Sequence, residues 1–322
     1  MKAGVATENG LAVRDIPQPR PKPNEVLVKV RVASLNRADL TTARGLPHGS
    51  HGGIGAPVGL EWAGEVVETG AEVTGYRSGD RVMCSGTGGY AEYAVTDWGR
   101  VNPMPHGMSF EQAATLPIAL MTLHNALITA GRLQPGETVM IQGASAGVGL
   151  MGLQIAKLKG ARLVIGTSTN EARRARLHEF GADLAVDTSA AGWPDQILEA
   201  TGGKGVNLVV DMLSGPVVTQ TMRATAVLGR IVNVGRLAGN KAELDFDLHA
   251  LRRIDYIGVT FRTRSLEEVR EIARRMRDDL WEAVTAGKLA LPIDRRFPLD
   301  QAVEAQAHMR ENKHFGKILL TV

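Results

Sequence analysis

From Thr138 onward, short apolar runs alternate with helix-length amphipathic stretches, and this constrains the chain more than any other feature. The runs fall at Thr138 to Gln142, Arg162 to Gly166, Leu184 to Asp187, Val206 to Asp211 and Gly229 to Val234. Continuous apolar runs suit strands covered on both faces, and intervening helices return the chain to the same edge. The pattern predicts an α/β fold with a doubly wound parallel sheet. The first hundred residues differ: "EVLVKVRVASLN" alternates as a strand does, and "EWAGEVVETG", "GDRVMCSG" and "YAEYAVTD" are short runs broken by Gly, Asp and Pro. Between them "ARGLPHGSHGGIGAPVG" reads as a glycine-rich loop. "SFEQAATLPIALMTLHNALITAG" reads as helical, with Gly131 as its C-cap. A later helix opens at "SLEEV", where Ser265 and Glu268 have capping-box spacing and Leu266, Val269, Ile272, Met276 and Leu280 form one stripe. The tail "FGKILLTV" reads as a last strand.

The 322 residues suffice for two domains. A formal charge of +3 gives no reason to expect nucleic acid or a membrane surface as partner. No apolar run reaches the ~18 to 20 residues of a membrane span, and the start "MKAGVATENGLAV" lacks the pattern of a signal peptide. One cysteine, Cys84, supports no disulfide framework and no four-cysteine zinc site, so a cytoplasmic setting is expected. With no basic cluster beside it, Cys84 reads as a buried small hydrophobe.

"VMIQGASAGVGLMGLQIAKLKGARLVIGTSTN" carries the chemistry. A strand, a turn of small residues and a helix starting near Gly147 present free amides and the positive helix end to a pyrophosphate, while small side chains admit it. Ser145, Ala146, Gly147 and Val148 are the candidate contacts. The stretch departs from G-x-G-x-x-G at its middle glycine, and the strand, helix and later βα units around it strengthen the reading. An acid binding a ribose 2′-hydroxyl is expected ~20 residues past the glycines. Here Thr167, Ser168, Thr169 and Asn170 stand instead, with Arg173 and Arg174 a turn later. Hydroxyls and guanidinium groups suit a 2′-phosphate, so NADPH is the expected cofactor rather than NADH.

The ordered motifs "LNRAD", "GLEWAGEVVETG", "GDRV", "GGYAEY", "AATLP", "GASAGVG", "GTSTNEARR", "GAD" and "FGKILL" resemble the medium-chain dehydrogenase/reductase superfamily, and within it the zinc-independent quinone oxidoreductases of the zeta-crystallin type. The resemblance runs over essentially the whole chain. It implies a discontinuous GroES-like catalytic domain (1–117 and 258–322), an inserted Rossmann domain (118–257), a cofactor between them and a homodimer. By the same resemblance Asn36 and Asp39 sit near nicotinamide and substrate. Asn233, Gly235 and Arg236 end a parallel strand where nicotinamide contacts are expected. Phe261 and Arg262 lie near the cofactor, Lys317 of the closing motif reaches its phosphates, and Tyr90 faces either the site or a β core.

The departures point away from metal. Leu60 stands where zinc members of the superfamily carry a histidine beside the glutamate that is here Glu61, and no cysteine occurs near "SLNRAD". Catalytic zinc needs at least three ligands, and His48 and His51 lack a clear third partner. Without a Lewis acid, the expected acceptor is already activated for hydride: a quinone or an α,β-unsaturated carbonyl. His48 is the candidate proton donor, alongside water. A 2-enoyl thioester reductase is the second enzyme reading, against which the early loop lacks that family's tyrosine. An NADPH-binding redox sensor is the reading of another class.

Overall fold

The computed structural model describes every residue except His48, Ser50 and His51. The chain divides into two compact units, Met1 to Ile118 with Phe261 to Val322, and Ala119 to Thr260.

The first unit is built on the strand Glu25–Ser34, whose residues are buried almost throughout. It pairs antiparallel with Glu61–Thr69, Tyr93–Asp97 and Lys317–Thr321. The sheet extends through Arg81–Ser85 to Val101–Pro103 on one side and to Ile293–Pro298 on the other. Its core holds Val28, Val30, Trp62, Val82, Cys84, Tyr90, Ile318 and Leu320. Cys84 is fully buried and its thiol is pushed well up from its ordinary range by desolvation. Three strands thus bring together residues far apart in sequence: Ser34 beside Glu61, and Leu319 beside Ser34.

The second unit carries six parallel strands in the order Leu184–Val186, Leu163–Thr167, Thr138–Gln142, Val206–Asp211, Thr225–Asn233 and Asp255–Gly258. This is the expected doubly wound sheet. Its order reverses between Thr138–Gln142 and Val206–Asp211, and ligands of such sheets lie at that reversal, past the carboxyl ends of the strands. Met140, Ile165, Val209, Ile231 and Met222 fill the core.

Two details differ from the sequence reading. Phe110 to Ala130 is not one helix: Phe110–Ala114 stops before Pro117, whose ring and missing N–H cannot continue a helix, and Pro117–His124 then widens into a π-helical turn, Asn125–Ala130. Gly131 is the C-cap, as expected, in right-handed conformation. The fifth strand starts at Thr225, not Gly229, through the exposed, positive-φ Leu228. The capping box at Ser265 and Glu268 is present, and Val269, Ile272, Met276 and Leu280 are buried beneath the helix Leu266–Thr285.

Candidate active site

In the second unit, the strand Thr138–Gln142 leads into Gly143, which takes φ +79° and donates its amide to Thr167 Oγ1 at 3.0 Å. The Ala144 amide donates to the Thr167 carbonyl at 2.9 Å. Thr167 is fully buried, so its hydroxyl shapes the loop from behind. The sequence pattern puts Thr167 at the cofactor; the structure places it underneath the loop instead. The helix Gly147–Leu158 starts after Ala146, and no side chain caps it. Its first amides remain available to an anion. At Gly149 a Cβ would stand 2.6 Å from Ala144 Cα, so only glycine lets the helix approach the loop this closely. These features fit a dinucleotide pyrophosphate.

At the end of the next strand, Ser168 Oγ donates to Ser145 Oγ at 3.1 Å. Arg174 turns inward, to the Ser168 carbonyl at 2.9 Å and Asp187 at 3.0 Å. Arg173 lies half-buried on the helix Glu171–Ala175, with its pKa lowered by desolvation. Arg174 thus braces the loop.

Beyond the reversal point, Asp211 is buried at the end of its strand. Its Oδ1 accepts the amides of Leu213 and Ser214 at 2.8 and 3.0 Å, and burial raises its pKa. These bonds hold Ser214 at φ +55°. Asn233 donates to Ser214 Oγ, and Ser214 donates to the Gly235 carbonyl at 2.8 Å. A Cβ on Gly235 would meet the Met212 carbonyl at 2.6 Å, so glycine is required where the two loops meet. Arg236 is exposed beside them. Sequence reasoning missed Asp211 and Ser214, because an acid ending an apolar run resembles any strand end.

The first unit holds a second cluster. Asn36 Nδ2 donates to Glu61 Oε1 at 2.9 Å, and Asn36 Oδ1 accepts from Lys317 Nζ at 3.1 Å. Lys317 also donates to Glu61 Oε1. Glu61 Oε2 accepts the Ile118 amide at 2.9 Å. The pair is almost sealed from water, with side chains 4% and 0% exposed. The closing motif points Lys317 to cofactor phosphates; the structure instead sets its ammonium on Glu61 and Asn36, because a buried carboxylate demands a cation. Asp39, a candidate catalytic group, is fully buried. Its Oδ2 accepts the Asn36 amide and the Tyr90 hydroxyl, both at 2.7 Å, so it braces the loop that carries Asn36. Tyr90 belongs to the core. Leu60 is 8% exposed beside Glu61. Phe261 is partly buried and Arg262 exposed in the turn before Ser265. His48 and His51 lie outside the described residues, and among the described residues no three His, Cys, Asp or Glu side chains gather into a metal-binding group.

Known proteins share both units. Residues 22–106 match the alcohol dehydrogenase GroES-like domain, and residues 147–278 match the zinc-binding dehydrogenase family. Quinone oxidoreductase-like protein 2 of Bos taurus is 30% identical over 94% of this chain and 87% of its own length. The chain belongs to the medium-chain dehydrogenase/reductase superfamily. Its relatives include quinone oxidoreductase-like proteins. A quinone oxidoreductase structure from Pseudomonas syringae pv. Tomato DC3000 superposes with a TM-score of 0.87 and 26% identity, covering all of both chains. A phenolphthiocerol/phthiocerol polyketide synthase chain of Mycobacterium tuberculosis is 32% identical over 98% of this chain, which spans only 14% of that synthase's length. Among the described residues no helix of this superfamily member is long and apolar enough to cross a membrane.

Proposed function

We propose that the chain is a metal-independent, NADPH-dependent reductase that delivers hydride to a quinone or an α,β-unsaturated carbonyl. One observation carries the reading: the Glu61 carboxylate is neutralised by the Lys317 ammonium, with Leu60 rather than a metal-ligating histidine beside it. An internal cation thus occupies the acid that a catalytic metal would need. Bound NADPH supplies the hydride. The chain's own groups bind and orient: the amides from Ser145 to Val148 hold the pyrophosphate, and Ser168 with Arg173 takes the 2′-phosphate. Asn233, Gly235 and Arg236 border the nicotinamide. Asn36 donates to the acceptor oxygen on which charge develops. The quinone oxidoreductase-like relatives support the acceptor class.

The active form in this reading is a cytoplasmic homodimer. The outer strand Asp255–Gly258 is paired on one side only, and Phe246 and Leu251, on the helix that precedes it in sequence, are 73% and 70% exposed. Light scattering that gives one chain's mass refutes the dimer.

The test is NADPH oxidation followed by absorbance against a benzoquinone, a naphthoquinone, an enone and an enoyl thioester, with and without chelator, and with NADH in parallel. Chelator-insensitive turnover that prefers NADPH and a quinone or enone is expected. Loss of turnover with chelator overturns the metal-free reading. Turnover of the thioester alone moves the chain to acyl reduction, and tight NADPH binding with no turnover moves it to a sensor.

A further inference from the structure

Asn36 lies between opposite charges. A carboxamide has two nearly isosteric orientations, with oxygen and nitrogen exchanged. Here Nδ2 faces the Glu61 carboxylate and Oδ1 faces the Lys317 ammonium. The reverse orientation would set oxygen against carboxylate and NH2 against ammonium, so the ion pair selects one. A neutral partner such as a hydroxyl accepts either and would not discriminate. Among the described residues, the further acceptor for Nδ2 is the Ser34 carbonyl, at 3.5 Å, the far limit of a hydrogen bond. Glu61, Lys317 and Asp39 are buried, whereas Asn36 is partly exposed. The weakly held donor of the network therefore belongs to its most accessible member.

We propose that Glu61 and Lys317 are positioning residues that lock the Asn36 amide with one Nδ2–H presented to the acceptor's oxygen. The proposal rests on the reductase reading above. Glu61 fixes the rotation by taking the other hydrogen. Lys317 draws electron density toward Oδ1, which strengthens Nδ2–H as a donor. An oxyanion developing after hydride addition then meets a donor already aimed, with no reorganisation at the moment of reaction.

The experiment uses the full chain, NADPH and 1,4-benzoquinone. The variants are the double variant Glu61→Gln/Lys317→Met, which leaves no lone buried charge, then Asn36→Ala, and the three changes combined. The double variant is expected to lower kcat about 10- to 100-fold, the range below the loss of one oxyanion donor, with the KM for NADPH within about twofold. Added to Asn36→Ala, it is expected to lower kcat no further. A folded double variant with kcat within twofold of the parent overturns the proposal. So does an equal loss of kcat in the Asn36→Ala background, which marks a merely structural role. The side-chain ¹⁵N–¹H pair of Asn36, assigned by its loss in Asn36→Ala, reads orientation without turnover. Lys317→Met is expected to shift this pair and speed its hydrogen exchange; an unchanged pair overturns the lock. A parent that binds NADPH yet reduces no acceptor defeats the reductase reading itself, and the amide pair then still decides the lock.

Discussion

The Tyr90 hydroxyl donates to Asp39 Oδ2 at 2.7 Å inside a core where neither residue has any solvent exposure. Desolvation raises the Asp39 carboxyl from 3.8 to about 7, against the bonds from Asn36 and Tyr90 that lower it. A folded pKa above the unfolded one means that the native state holds a proton the unfolded chain has lost. The stabilisation is complete below about 3.8 and is lost as pH rises through about 7. Asp39→Asn keeps an acceptor and removes the titration. Its stability relative to the parent is expected to improve by about 1.4 kcal/mol per pH unit between pH 5 and 7. Urea unfolding across that range checks this, and a pH-independent difference refutes it.

Removing one member of the Glu61–Lys317 pair leaves an uncompensated buried charge. Glu61→Gln and Lys317→Met are each expected to cost about 3–5 kcal/mol of stability. The double variant recovers most of that loss, since two neutral side chains replace the pair. Thermal or denaturant unfolding of the three variants gives the comparison; strictly additive losses rule out the pairing.

The proposed function assigns Arg173 to a 2′-phosphate, whereas Arg174 is bound to Asp187. Arg173→Ala is expected to weaken NADPH binding about 10- to 100-fold, the range of a charge-assisted hydrogen bond, and to leave NADH binding within about twofold. Titrating both nucleotides by fluorescence measures the ratio. Equal weakening of both would remove Arg173 from the phosphate site.

Gly149→Ala forces a methyl group to within 2.6 Å of the Ala144 backbone. The loop must move, at a cost of about 1–3 kcal/mol, and the amides it carries move with it. The expected outcome is a lower melting temperature and a smaller thermal shift on adding NADPH. A variant with the parent's shift would show that this helix–loop approach is not needed for the cofactor.

Much of the second unit was legible because its determinants are local. Each apolar run between Thr138 and Asp211 is short enough to be a strand and bounded by turn residues, so element type followed from neighbours in sequence. The Ser265–Glu268 cap was legible for the same reason: both partners lie within one turn. The misread helix at 110–130 failed where a local signal, Pro117, was outweighed by a long apolar pattern.

The candidate site divides along the same line. Gly143 to Gly149 and Ser168 to Arg174 each form a contiguous segment, and their residue types alone pointed to a tight small-residue turn leading into a helix. Glu61 and Lys317 stand 256 positions apart, each at the head of an apolar run, with nothing local to pair them. Only the pairing of Glu25–Ser34 with both Glu61–Thr69 and Lys317–Thr321 brings them together. The same pairing buries Lys317 and directs it to Glu61 and Asn36, where the motif alone pointed to a phosphate. Local chemistry in the sequence determined the loop and its helix, whereas the partner of a buried charge was decided by the sheet, because desolvation and register arise only once distant strands meet.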